Sequence, residues 1–119
     1  MAEKRDYRDL VVWQQAIALI PSIYRAIEGF PREEMFALSA QVRRASVSVA
    51  ANIAEGQARN SPKEFRQHLA IAKGSLAELH TLLVVAERLR YLSADQLRET
   101  ERALTRVRKP LIGLMSRLQ

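Results

Sequence analysis

The run QVRRASVSVAANIAEG, Gln41 to Gly56, sets two arginines, an asparagine and a glutamate among residues that are mostly Ala, Ser, Val and Ile. Such a strip could hold a catalytic centre, contact nucleic acid, or pack closely against other helices. Metal chemistry is the first of these to test. A bundle of helices binds paired metals through Glu residues and Glu-x-x-His motifs. Here His68 follows Glu64 by four residues and His80 follows Glu78 by two, so neither pair has that spacing, and no cysteine supplies a thiolate. Nucleophilic chemistry fares no better. Ser46, Ser48 and Ser75 have no histidine placed by sequence to activate them, and there is no glycine-rich phosphate loop or nucleophile elbow. The sequence therefore reads as a non-enzyme without cofactor or metal.

The cationic residues suggest more. Lys and Arg number 19 against 13 Asp and Glu, a net charge of +6, and the pI is near 10.3. That balance favours polyanionic partners. Two clusters stand out: Arg98, Arg102, Arg106 and Lys109 at helical spacing with no acidic residue after Glu101, and Arg59, Lys63 and Arg66 with little acid nearby. Either cluster alone could be a solvated face. Together, and multiplied by symmetry in an oligomer, they would form an extended surface for the phosphates of RNA or DNA. The aromatics are seven, with Trp13, Tyr24 and Phe65 on expected core stripes, so base stacking is poorly supplied. Binding would then depend little on base sequence.

Four segments with helical periodicity must position these residues. The first runs from about Leu10 to Glu28 on the stripe Leu10, Trp13, Ile17, Ile20, Tyr24 and Ile27, with Gly29 as its stop and Pro21 kinking or splitting it near Ile20. The second opens at FPREE, with Pro31 in its first turn and Glu33 and Glu34 on the positive end of the helix dipole. Its stripe is Met35, Leu38, Val42, Ala45, Val49 and Asn52. The third begins with Ser61, Pro62 and Glu64 as a capping box and carries Phe65, Leu69, Ala72, Leu76, Leu79, Leu83 and Ala86. The fourth begins with the capping box Ser93 and Gln96 and carries Leu97, Thr100, Leu104, Val107, Leu111, Leu114 and Leu118, bent at Pro110. Short links make neighbours antiparallel, so the expected fold is an all-α, up-down-up-down four-helix bundle. It is a single domain over residues 1–119, with residues 1–8 as a flexible tail. The N-terminus lacks the apolar stretch of a secretory signal and no apolar run reaches a membrane span, which points to the cytoplasm and away from membranes.

With the second and third helices antiparallel about Ala58 and Arg59, Gly74 would face the neighbourhood of Arg43, and Ser75 that of Val42. A mid-helix glycine then implies close backbone approach. Ala45, Ser46, Ala50 and Ala51 suggest that the second helix packs on two faces, one against another subunit. Arg43, Asn52, Glu55 and Glu78 read as a polar clamp: Arg43 bridges to Glu78, and Glu55 takes the amides of the third helix or an arginine such as Arg59.

The segments DLVVWQQAIAL, IYRAIEGFPREEMFALSAQVRRASVSVAANIAEGQARNSPKEFRQHLAIAKGSLAEL and LRYLS resemble the bacterial ribosomal RNA intervening-sequence proteins from about Asp9 to the C-terminus. The Trp13-Gln14 pair and the Gln41 to Gly56 strip are the most specific parts, while Pro21, His68 and Pro110 depart from the family pattern. The resemblance implies a four-helix bundle assembled as a ring-like homopentamer with a basic surface and no catalytic residues. It extends to the accessory variability determinant proteins of diversity-generating retroelements, which implies nucleic acid and a nucleic-acid-processing protein as partners. The alternative is an oligomeric protein-interaction scaffold with no nucleic-acid role.

Overall fold

Ser61 and Ser93 are where the two longest helices begin. The Ser61 hydroxyl accepts from the Glu64 amide at 3.3 Å, and Ser93 and Gln96 exchange both bonds of a capping box at 3.0 and 2.8 Å. The structure, a computed structural model, describes residues 6–118. Its long helices are α1 (Val11–Ala26), α2 (Leu38–Ala58), α3 (Pro62–Arg88) and α4 (Ala94–Arg117). Consecutive helices pack on one another and α4 closes on α1, giving the antiparallel four-helix bundle. It measures 52 by 25 by 22 Å.

The core stripes of α3 and α4 are those the periodicity predicts, with Leu69, Leu79, Leu83, Val107 and Leu111 fully buried. The stripe of α1 is one position away from its expected place: Val12, Ala16, Leu19 and Ile23 face the core, whereas Ile17 and Tyr24 are exposed. Two nearly equivalent apolar lines run along this helix, and packing selects the one with the small Ala16 at its centre. Neither proline breaks its helix. α1 runs through Pro21 and α4 through Pro110, where each ring removes one amide donor and leaves the bond to the carbonyl four residues earlier unmade.

The FPREE segment forms a short 3-10 turn over Arg32–Glu34 instead of the first turn of α2. Ala37, at φ −117° and ψ −104°, interrupts the helix, so α2 starts at Leu38 and Met35 is exposed. Glu34 serves both sides of this break. One carboxylate oxygen accepts from the Leu38 amide at 3.3 Å and the other from the Tyr91 hydroxyl at 3.0 Å, tying the start of α2 to the α3–α4 connection. Phe30 packs on the Tyr91 ring at 5.5 Å. At the N-terminus, Tyr7–Asp9 is a 3-10 turn with Tyr7 edge-on to Trp13 at 5.3 Å. The end of the expected tail is therefore structured, and residues 1–5 lie outside the described residues.

By length and composition α3 is apolar enough to cross a membrane, contrary to the expectation that no segment would be. In the bundle its apolar stripe packs on the other helices, while Lys63, Lys73 and Glu78 lie on its exposed side.

The α2–α3 register differs from the expected one. Arg59 caps α2, Asn60 turns the chain in the left-handed region at φ 58°, and Ser75 bonds Ser48 at 2.9 Å in place of meeting Val42. Gly74 is exposed and has open space around it; the close approach is at Gly56, where an added Cβ would stand 2.5 Å from the His68 Cβ. Gly56→Ala should destabilise the fold by about 1 to 3 kcal/mol in urea unfolding, because His68 cannot retreat without moving α3. Gly74→Ala should stabilise it by about 0.5 to 1 kcal/mol.

Tyr91 supplies a pH-dependent check. Its hydrogen bond to Glu34, helped by desolvation and the charges of Glu34 and Glu33, raises the phenol above its ordinary value. The folded chain holds that proton more tightly than the unfolded one. The stabilisation is therefore complete below the unfolded value near about pH 10 and lost as pH rises through the folded value. Wild type should melt above Tyr91→Phe at about pH 8, and the gap should shrink once pH rises past the unfolded value of the phenol and through its raised folded value.

Candidate nucleic-acid interface

Burial of Thr100, Ala103, Leu104, Val107 and Leu111 fixes the rotation of α4 and turns Arg98, Arg102, Arg106 and Lys109 outward, all exposed. Arg98 is paired with Asp95 one turn back. Among the described residues Arg102, Arg106 and Lys109 have no carboxylate partner, so the free charge of the stripe lies in the C-terminal two thirds of the helix. Arg108 reaches the Thr105 hydroxyl at 3.4 Å, and His80 of α3 bonds Glu101 at 2.8 Å, which removes the last acidic side chain of α4 from the cationic side.

The loop cluster does not hold together as three free cations. Arg59 lies between Glu55 at 3.8 Å and Glu64 at 3.7 Å, so acid absent from the linear neighbourhood arrives through the turn. Glu64 consequently does not complete a capping box on Ser61. Half-buried Arg66 donates to the Leu118 carbonyl at 2.6 Å and caps the end of α4. Only Lys63 remains exposed and unpaired among the described residues.

The polar clamp is also rearranged. Arg43 donates to the Met35 carbonyl at 2.9 Å, bracing the break before α2, and Glu78 is exposed without it. Glu55 is half exposed and not a buried carboxylate; of its expected partners it takes Arg59. Asn52 does act between helices. Its amide donates to the Ser48 carbonyl at 2.9 Å and hydroxyl at 3.1 Å, and its oxygen meets His68 Nδ1 at 3.2 Å. His68, left aside by the spacing test, is thus a structural partner of Asn52.

The small residues expected at a subunit interface divide. Ala45, Ser46 and Ala50 are buried inside the bundle, and the Ser46 hydroxyl donates to the Arg43 carbonyl at 2.8 Å. Ala51 faces outward, with Arg44 and Val47 on the same exposed side. Of the four residues expected at a subunit interface, only Ala51 therefore lies on the outer side of α2.

Sequence periodicity gives no sign of a cleft of about 270 Å³ between α1 and α4. Arg25 and Arg106 line it together with Ser22, Gln96, Glu99 and Thr100. It stays open because its facing surfaces carry Ala26 and Ala103. Arg25 comes to Arg106 only through the antiparallel α1–α4 pairing, which no local pattern encodes.

Residues 8–113 match the family described as 23S rRNA-intervening sequence protein, and the chain belongs to that family. A crystal structure from Bacteroides thetaiotaomicron VPI-5482, of a protein with unknown function from the S23 ribosomal protein family, is similar at a TM-score of 0.80 and 25% identity. The match covers 88% of this chain and 98% of that one. No curated protein matches.

Arg66 separates a structural cation from a binding one. Arg66→Ala should free the Leu118 carbonyl, cost about 1 kcal/mol and raise amide exchange in the last turn of α4. Nucleic-acid affinity measured at the same time should be nearly unchanged.

Proposed function

We propose that this protein is a non-enzymatic, self-associating four-helix bundle that binds RNA or DNA through phosphate contacts along α4, in the bacterial cytoplasm. One observation carries the reading: Arg102, Arg106 and Lys109 stand exposed on one stripe, and none of them has an ion-pair partner among the described residues. Long cationic side chains on a convex helix read backbone charge and offer no element that fills a groove, so affinity is generic. The overall charge of +6 adds long-range attraction. Lys63 is the only member of the loop cluster that supports this surface.

Self-association is supported by the outward side of α2, where Val47 and Ala51 are exposed, and by exposed Ile71 of α3. Assembly as a pentamer is what the family resemblance implies. A protein-interaction role is the second reading, and Phe36 favours it. This aromatic is 90% exposed beside half-exposed Met35, in the turn that precedes α2.

Binding titrations across salt concentration test the first reading. Affinity for generic single-stranded RNA and duplex DNA should fall with a log-log slope of about −0.7 to −0.9 per phosphate contact. Arg102→Glu with Lys109→Glu should flatten that slope by about 1.5 per protomer while helicity stays intact. Purified oligomer with no salt-sensitive binding to either nucleic acid would leave the scaffold reading in its place.

A further inference from the structure

The polar groups of the α1–α4 cleft are sorted by hydrogen-bonding role. Its cations are Arg25 and Arg106, neither of which has an ion-pair partner among the described residues. Gln96 accepts from the Ser93 amide through its side-chain oxygen at 2.8 Å, so its NH2 group is left to donate. The hydroxyl proton of Thr100 is committed to its own helix, on the Leu97 carbonyl at 2.8 Å, and that of Ser22 is held loosely, 3.4 Å separating its oxygen from the Ala18 carbonyl. The Thr100 oxygen therefore offers only lone pairs to the cleft, as does the carboxylate of Glu99, and the Ser22 oxygen can accept there too. The lining thus presents two guanidiniums that suit a phosphate and three acceptors that suit hydroxyl groups.

A simple polyanion would leave those acceptors unmatched and would be repelled by Glu99. No aromatic lines the cleft, so nothing in it holds a base by stacking. At about 270 Å³ it sits just below the usual range of small-molecule sites, and takes one small unit. We infer that this cleft binds a ribose phosphate, with its phosphate between Arg25 and Arg106 and its hydroxyls on Glu99 and the Ser22 and Thr100 oxygens. The site shares Arg106 with the α4 surface but does not rest on nucleic-acid binding there. The same chemistry is carried by a free sugar phosphate and by a ribonucleotide unit of RNA, whose 2′-hydroxyl would be read by Glu99.

Calorimetric titration of the full chain with ribose 5-phosphate tests the site. Saturable binding is expected, weakened at least about tenfold by Arg25→Gln, which removes one charged anchor. Glu99→Gln should weaken ribose 5-phosphate while leaving inorganic phosphate as tight or tighter. Lys73→Glu, on the exposed side of α3 and outside both sites, should change neither, and these titrations contain no nucleic acid, so failure of the α4 surface and failure of the cleft are read separately. Short oligouridylate and its deoxy counterpart identify the source. A preference for the ribose form that disappears in Glu99→Gln supports a strand of RNA, and equal binding of the two alongside tight ribose 5-phosphate supports the free ligand. No saturation by about 10 mM, or wild-type affinity in Arg25→Gln, would overturn the proposal.

Discussion

Everything outward of the core follows from how closely α3 lies on α2 at Gly56. His68 occupies the place that a side chain on Gly56 would take, and its ring then meets Asn52, which holds Ser48, which meets Ser75. This ladder of polar contacts spans about two turns of each helix. A shift of one helix along the other would separate its two pairs that cross between helices, Asn52 with His68 and Ser48 with Ser75, at once. Hydrogen-bonded side chains at a helix contact discriminate among registers that apolar packing alone would leave close in energy. The register in turn sets which residues of α2 are buried, and therefore why Ala51 and Val47 face outward while Ala45 and Ala50 do not.

Much of the bundle was legible from periodicity, and what was not has identifiable causes. α3 and α4 each carry a single apolar stripe, so only one rotation buries it. α1 carries two, and the sequence contains no local reason to prefer Val12, Ala16 and Leu19 over Trp13, Ile17 and Ile20; the choice is made by neighbouring helices. The start of α2 was misplaced because Glu33 and Glu34 look like first-turn acids. Glu34 does cap the helix, but from before a break, and through a carboxylate also bonded to a tyrosine far away in sequence.

The cations show the same division. Types and spacing located the α4 stripe, since a helix places residues three and four apart on one side regardless of what surrounds it. Partners were not legible, because they come from the turn in the case of Arg59 and from the chain end in the case of Arg66. A cluster defined along a turn counts residues that the turn then reorients. A cluster defined along a helix keeps its geometry. The α1–α4 cleft lies wholly beyond local reading, being built from two helices at opposite ends of the chain.

The bundle's long axis, 52 Å against 25 and 22 Å, is about twice its width, and its radius of gyration is 15.2 Å. A sphere-like domain of this length would have a radius near 13.5 Å, by the scaling of about 2.2 times the residue number to the power 0.38. A single protomer is therefore a short rod, and rods experience more drag than spheres of equal mass. On a gel-filtration column calibrated with round proteins it would elute early, with an apparent mass above its 13.5 kDa. A ring of such rods set side by side would be squatter and much less anisotropic. Elution volume would then exaggerate the small species more than the large one, and the apparent ratio of the two would understate the number of subunits.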